Sequence, residues 1–226
     1  MRARDAERPA ARQPRRIGKV MVEAPRTQEM RSRDAREALM RATIDVLISH
    51  GYNGLSIKEV ASRSGMSRGA LAHHYPSKAE LVVAATAAVY DEALARGQRM
   101  ARTVGAIRDP VGNFIADCTS VYLEWPFLAA LEIIMVARTD ALLMKQIQPV
   151  MQNYRQKTNA TWLEVFGRAG IAPPESERIL NLTLNLIRGI GVNTLWQVDQ
   201  RANKRLLRGW ADSLRAQLGA RRSPTA

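Results

Sequence analysis

The chain has 226 residues, enough to bury a sizeable core, and it sets 34 Lys and Arg against 21 Asp and Glu for a formal net charge of +13. That balance favours polyanionic partners, meaning nucleic acid or an anionic surface. The single cysteine, Cys118, excludes a disulfide framework and any multi-cysteine metal site, and no run approaches the ~20 apolar residues that span a bilayer. These features predict a cytoplasmic chain without membrane segment, metal or cofactor.

Residues 1–28 carry eight basic and three acidic residues, are broken by Pro9, Pro14 and Pro25, and lack apolar periodicity, which predicts a flexible basic arm. From Arg31 a helical pattern begins, with Leu39, Ala42 and Val46 at steps of three and four, and Gly51 is expected to stop it. Ser56-Ile57-Lys58-Glu59 reads as a capping box opening a short second helix that ends near Gly65. Ser67 is placed to cap a third helix through Arg68 to His74, which Pro76 ends. A second box, Ser77-Lys78-Ala79-Glu80, opens a long fourth helix towards Val104. Beyond it, Asp109-Pro110, Trp125-Pro126 and Gly170 with Pro173-Pro174 punctuate helices expected near 110–124, 126–138, 141–169, 174–198 and 203–218. No segment alternates as a strand does, so the chain is predicted all-α, with a flexible tail at 220–226.

Gly65-Met66-Ser67-Arg68-Gly69 fits G-x-S-x-G, the nucleophile elbow of serine hydrolases, but that elbow needs a buried strand before it. Here the preceding residues are charged and helix-capped. The only histidines are His50, His73 and His74, two of them on the serine's own short helix, so no triad is expected and the chain reads as a non-enzyme. Two short capped helices joined by a tight glycine turn form instead a helix-turn-helix.

With those marks in order, Arg36 to Val82 closely resembles the DNA-binding domain of the TetR family of bacterial repressors. The matching residues are Gly51, Ser56, Ile57, Val60-Ala61, Gly65-Met66-Ser67, Gly69, Leu71, His74-Tyr75 and Ser77-Lys78. The resemblance implies a three-helix reading domain over 29–83 and a larger helical ligand-binding and dimerisation domain over 84–219. It implies a homodimeric repressor, released from a palindromic double-stranded DNA operator by a small-molecule effector. A basic architectural protein that binds DNA without an effector is the alternative.

Residue chemistry distributes the expected contacts. Ser67 caps the recognition helix so that its N-terminus faces phosphates. Arg68 suits two hydrogen bonds to guanine and Ala70 a thymine methyl, while Gly69 lets the backbone approach the groove. His73, His74 and Tyr75 suit phosphate or sugar, with Tyr75 equally readable as a core aromatic. Ser56 belongs with them at the start of the second helix, and Lys78 is expected on phosphate. Adjacent His73 and His74 diverge on a helix and so do not read as a metal pair. Where the family most often has tyrosine, this chain has Ala72, and the arm or Lys58 would have to replace that contact.

In the C-terminal half, Leu182, Leu186, Gly189 and Asn193 form one stripe. Leu207, Trp210 and Leu214 form another, and together they predict a four-helix dimer interface, with intramolecular core as the other reading. Pocket candidates are Cys118, Tyr122, Trp125, Phe127, Met135, Arg138, Tyr154 and Trp162. Arg138 stands out as a cation after an apolar run that could pair with a ligand carboxylate.

Overall fold

The computed structural model describes residues 28–197 and 199–222, and every element among them is helical. Most of the expected arm and the end of the expected tail lie outside the described residues. Ten helices follow in order: α1 Gln28–Gly54, α2 Ile57–Ser64, α3 Arg68–His74, α4 Lys78–Ala101, α5 Val104–Arg108, α6 Pro110–Tyr122, α7 Trp125–Ala137, α8 Ala141–Arg168, α9 Pro173–Asn193 and α10 Gln200–Arg222.

Local chemistry explains most boundaries. Ser67 and Ser77 accept hydrogen bonds from the amides of Ala70 and Glu80, each at 3.1 Å, and so start α3 and α4. Asp109 caps α6 through the Gly112 amide, and Asp140 caps α8 through Leu142 and Leu143. Two expectations need correction. Ser56 makes no side-chain cap bond, and the Glu59 carboxylate, the other half of the expected box, is turned along α2 to Arg63 at 2.5 Å. The fourth helix, expected to run towards Val104, stops at Ala101, and Thr103 caps a five-residue α5 that was not expected. Gly51 does interrupt the first helix as expected, at φ 67° and ψ 174°, and a single further turn beyond that kink reaches Gly54.

Burial divides the molecule into two apolar clusters. One joins α1 to α4 around Leu39, Leu47, Val60, Leu71 and Leu81, and it also takes in Ala129, Ile133 and Ala137 of α7 and Leu143 and Ile147 of α8. The head over α1–α3 is therefore sealed by helices that lie far away in sequence. The other cluster fills the body between α4, α6, α8, α9 and α10 around Phe114, Trp162 and Phe166. α4 serves both, with Leu81, Val82 and Ala85 in the first and Tyr90, Ala93 and Ala101 in the second. α6 and α7 meet at a bend of 57°, and no single helix among the described residues is long and apolar enough to cross a membrane.

Candidate nucleic-acid interface and the helical body behind it

The α2–α3 turn is set by Gly65, whose φ of 71° lies in the left-handed region that favours glycine. α3 is held to the head by Leu71, fully buried, while Arg68, Gly69, Ala70, Ala72, His73 and His74 are exposed. A Cβ on Gly69 would meet nothing within 4 Å, so the fold itself does not require glycine there. Ser56 and Ser67 are exposed, and Tyr75 is half-buried against the head cluster. The His73 and His74 rings stand edge-to-face at 5.4 Å, and no group of three metal-binding side chains exists among the described residues.

Lys78 departs from expectation. Its ammonium donates to the Tyr52 carbonyl at 2.9 Å and the Asn53 carbonyl at 3.4 Å, and lies 4.6 Å over the Tyr52 ring. Carbonyls at the end of α1 keep accepting capacity, that of Tyr52 beside its bond from the Leu55 amide, so the cation is drawn inward to them instead of standing free for phosphate. The amide of the same residue, Tyr52, donates to Glu132 Oε1 of α7 at 3.3 Å. A Cβ on Gly51 would come within 2.7 Å of that oxygen, which makes the glycine a condition of the contact. Tyr52 is thus clasped from two sides, its carbonyl by α4 and its amide by α7.

In the body, Cys118, Tyr122, Tyr154 and Trp162 are buried, and Phe127 packs edge-to-face on Tyr122 at 5.4 Å. Desolvation pushes the Cys118 thiol well up, which makes it a poor nucleophile. Tyr154 stacks on Tyr90 at 4.5 Å, and burial raises both phenols. Trp162 donates to Asp117 Oδ2 at 2.7 Å; burial raises the Asp117 carboxyl, with Trp162 and Arg96 opposing that rise.

Three expected pocket residues do not face this interior. Trp125 is 42% and Met135 56% exposed, and Arg138 is exposed at the α7 C-cap. α7 turns its small residues, Ala129, Ala130 and Ala137, inward with Ile133, packs Phe127 and Val136 at the edges of the clusters, and leaves Trp125 and Met135 outside. The cation that does reach the aromatic interior is Arg188, which donates to the Tyr122 hydroxyl at 2.9 Å.

On the outer face, Leu182, Leu186, Arg205, Leu206, Gly209, Trp210 and Ser213 line an open, largely apolar groove of about 720 Å³ between α9 and α10. Trp210 is pinned there by donating to Thr183 Oγ1 at 2.9 Å. Gly189 and Asn193 are exposed on the same helix. Leu207 and Leu214 are instead buried in the chain's own core, because α10 turns them onto the body, so they are removed from the expected interface. Gly191 also serves the chain itself: a Cβ there would lie 2.3 Å from the Tyr122 carbonyl oxygen.

Comparison with known proteins decides what this architecture is. Residues 39–85 match the model of bacterial regulatory proteins of the tetR family. The chain is 31% identical over 181 residues to the HTH-type transcriptional regulator CymR of Pseudomonas putida, covering 80% of this chain and 89% of that one. The chain belongs to the tetR family of transcriptional regulators. Two solved structures share the fold of this regulator at low identity. A TetR transcription regulator from Haloarcula marismortui superposes with a TM-score of 0.63 at 18% identity, over 80% of this chain and 98% of that one. The regulator FadR of Bacillus subtilis, in complex with stearoyl-CoA, gives 0.58 at 12% identity, over 79% and 97%.

Within this tetR-family chain, sequence reasoning missed Glu132, Arg188 and Asp117. The last two carry a readable signal, a lone charge inside an apolar helical stretch. Glu132 is likewise the one charge in α7, but its partner Tyr52 lies 80 residues away in the chain.

Proposed function

We propose that the chain is a cytoplasmic, homodimeric repressor that binds a palindromic operator through α3 and is released by a small molecule bound in the helical body. The observation that carries the DNA reading is the division of labour on α3: Leu71 alone is buried, while Arg68, Gly69, Ala70, His73 and His74 stand together in solvent. Arg68 and Ala70 read base edges, Gly69 lets the backbone come close, and His73 and His74 meet phosphate or sugar. Lys78 acts chiefly by fixing the head on α4.

The groove between α9 and α10 is the dimer surface in this reading, with Leu182, Leu186, Leu206 and Trp210 packing against the partner's copies. Such a dimer carries two α3 helices to half-sites one helical turn, or a multiple of it, apart. Control runs through the clasp on Tyr52, because a ligand that moves α4 or α7 pulls on the end of α1. The regulator acts by binding, not catalysis.

Selection of bound fragments from random DNA tests this. The expected outcome is a two-fold symmetric site whose affinity falls by about 1 to 3 kcal/mol in Arg68→Ala, mainly at one base pair per half. Equal affinity for selected and random DNA would make the chain an architectural protein instead.

A further inference from the structure

The body contains polar atoms that its own folding leaves unserved. Asp117 is 3% exposed and Thr158 6%. Asp117 Oδ1 and Arg96 Nε are buried without a hydrogen-bond partner, and the Thr158 hydroxyl has the Tyr154 phenol as its neighbour. The remaining capacity of these groups is committed: Asp117 Oδ2 accepts from Trp162 at 2.7 Å, and Arg96 Nη2 donates to Ser120 Oγ at 2.9 Å. Buried polar groups are almost always satisfied in native proteins, so an acceptor on Asp117 left open beside the Thr158 hydroxyl calls for an occupant.

The place is defined. Asp117 and Thr158 face a crevice between α4, α6 and α8, walled also by Ala93, Leu94, Gly97 and Trp162. As it stands it has no room even for a water molecule. Gly97 forms its tightest wall, since a Cβ there would lie 2.7 Å from Asp117 Oδ2. Occupation therefore requires α4 to give way at Gly97, on the same helix whose first residue holds Tyr52.

The charge balance selects the occupant. Arg96 lies one residue before Gly97 and is tied to Ser120, one turn along α6 from Asp117, so carboxylate and guanidinium already offset each other. A net charge added there would be buried without a partner. We propose that this crevice is the anchoring subsite of the effector and takes a neutral head group carrying both donor and acceptor, a carboxamide in its simplest form. The amide N–H is received by Asp117 Oδ1, and the amide oxygen accepts from Thr158 Oγ1. This rests on the body being the effector-binding region. It adds the chemical class of the effector and the first helix that must move.

The test uses the full chain with butyramide, butyrate and n-butylamine, which share a short apolar body and differ in head group. Binding is followed by tryptophan emission, with Trp162→Phe identifying the reporter, and by calorimetry. Butyramide is expected to perturb Trp162 and the two ions to leave it unchanged. Thr158→Val, nearly equal in size, and Asp117→Asn should each weaken butyramide about tenfold. Gly97→Ala, which closes the crevice, should abolish binding. Preference for butyrate or butylamine, or unchanged butyramide affinity in Thr158→Val and Gly97→Ala, overturns the subsite. Affinity for the selected operator is measured in parallel. Butyramide binding that depends on Asp117 and Thr158 but leaves operator affinity unchanged would retain the subsite and sink its role in release. Release of operator by another compound, undiminished in Thr158→Val and Gly97→Ala, would sink the subsite and keep the effector reading.

Discussion

The head and the body keep opposite economies of surface. α3, the reading element, buries one residue, Leu71, and offers the rest to solvent, whereas the body packs Phe114, Trp162 and Phe166 against one another with centroids 5.4 to 6.5 Å apart. The contrast teaches where each kind of substitution should be felt. In the head, an exposed side chain can be changed with little cost to folding, so its loss is read in binding. In the body almost any change is read in stability first.

The largest expected effect tests this directly. Phe166→Ala should cost about 3 to 5 kcal/mol in chemical denaturation, lowering head and body signals together. Leu71→Ala should cost about 2 to 5 kcal/mol locally, yet abolish operator binding while the near-ultraviolet dichroism of the buried Trp162 region survives. If both signals collapse equally in Leu71→Ala, the head has no independence and the comparison fails.

The two glycines of α9 divide the same way at intermediate size. Gly191→Ala forces a methyl towards the Tyr122 carbonyl and should destabilise by about 1 to 3 kcal/mol. Gly189→Ala meets nothing within the chain and should stabilise α9 by up to about 1 kcal/mol. Sedimentation of the second variant then reports on the α9–α10 face alone, and a monomer would place Gly189 at the contact.

Arg68 and Lys78 sharpen the comparison within the head. Lys78→Ala should remove about 1 kcal/mol of stability and lower affinity for selected and random DNA alike, by loosening α1 on α4. Its salt slope should stay near that of the parent, because the ammonium is spent on the Tyr52 carbonyl. A slope reduced by about one unit would return Lys78 to the phosphates.

The smallest effect lies at the far end of the body. Arg215 of α10 reaches Asp109 at 2.7 Å, and that hydrogen bond, ahead of the Gly112 amide, holds the Asp109 carboxyl below its usual range against some desolvation. With its folded value depressed, Asp109 contributes stability that is present above the ordinary aspartate range and lost as pH falls through the folded value. Asp109→Asn should erase this acid-side slope in melting curves. The loss at neutral pH should stay below about 1 kcal/mol, because both side chains are substantially exposed.

What the sequence made legible follows from the range of the interactions involved. The all-helical class, the caps at Ser67, Ser77 and Asp109 and the turn at Gly65 depend on residues three or four apart, and a reader of the chain sees both members at once. Ser56 shows the limit even there, since Glu59 had two suitors and chose Arg63. α5, at five residues, is too short to express a period. In the site, the exposure of α3 was legible because the motif is local. The inward turn of Lys78 and the clasp by Glu132 were not, because each joins α1 to a helix that only the fold brings near.

The sharing of the head's apolar cluster with α7 and α8 bears on how such regulators are rebuilt. A chimaera that grafts residues 29–83 onto a foreign body would arrive without Ala129, Ile133, Ala137, Leu143 and Ile147, the surface on which its own head is seated. The transplanted reader would meet an ill-fitting socket and no Glu132 to hold Tyr52. A working graft therefore has to carry its seat with it, and α7 with the first turns of α8 travels with the DNA-reading unit although more than forty residues of chain lie between them.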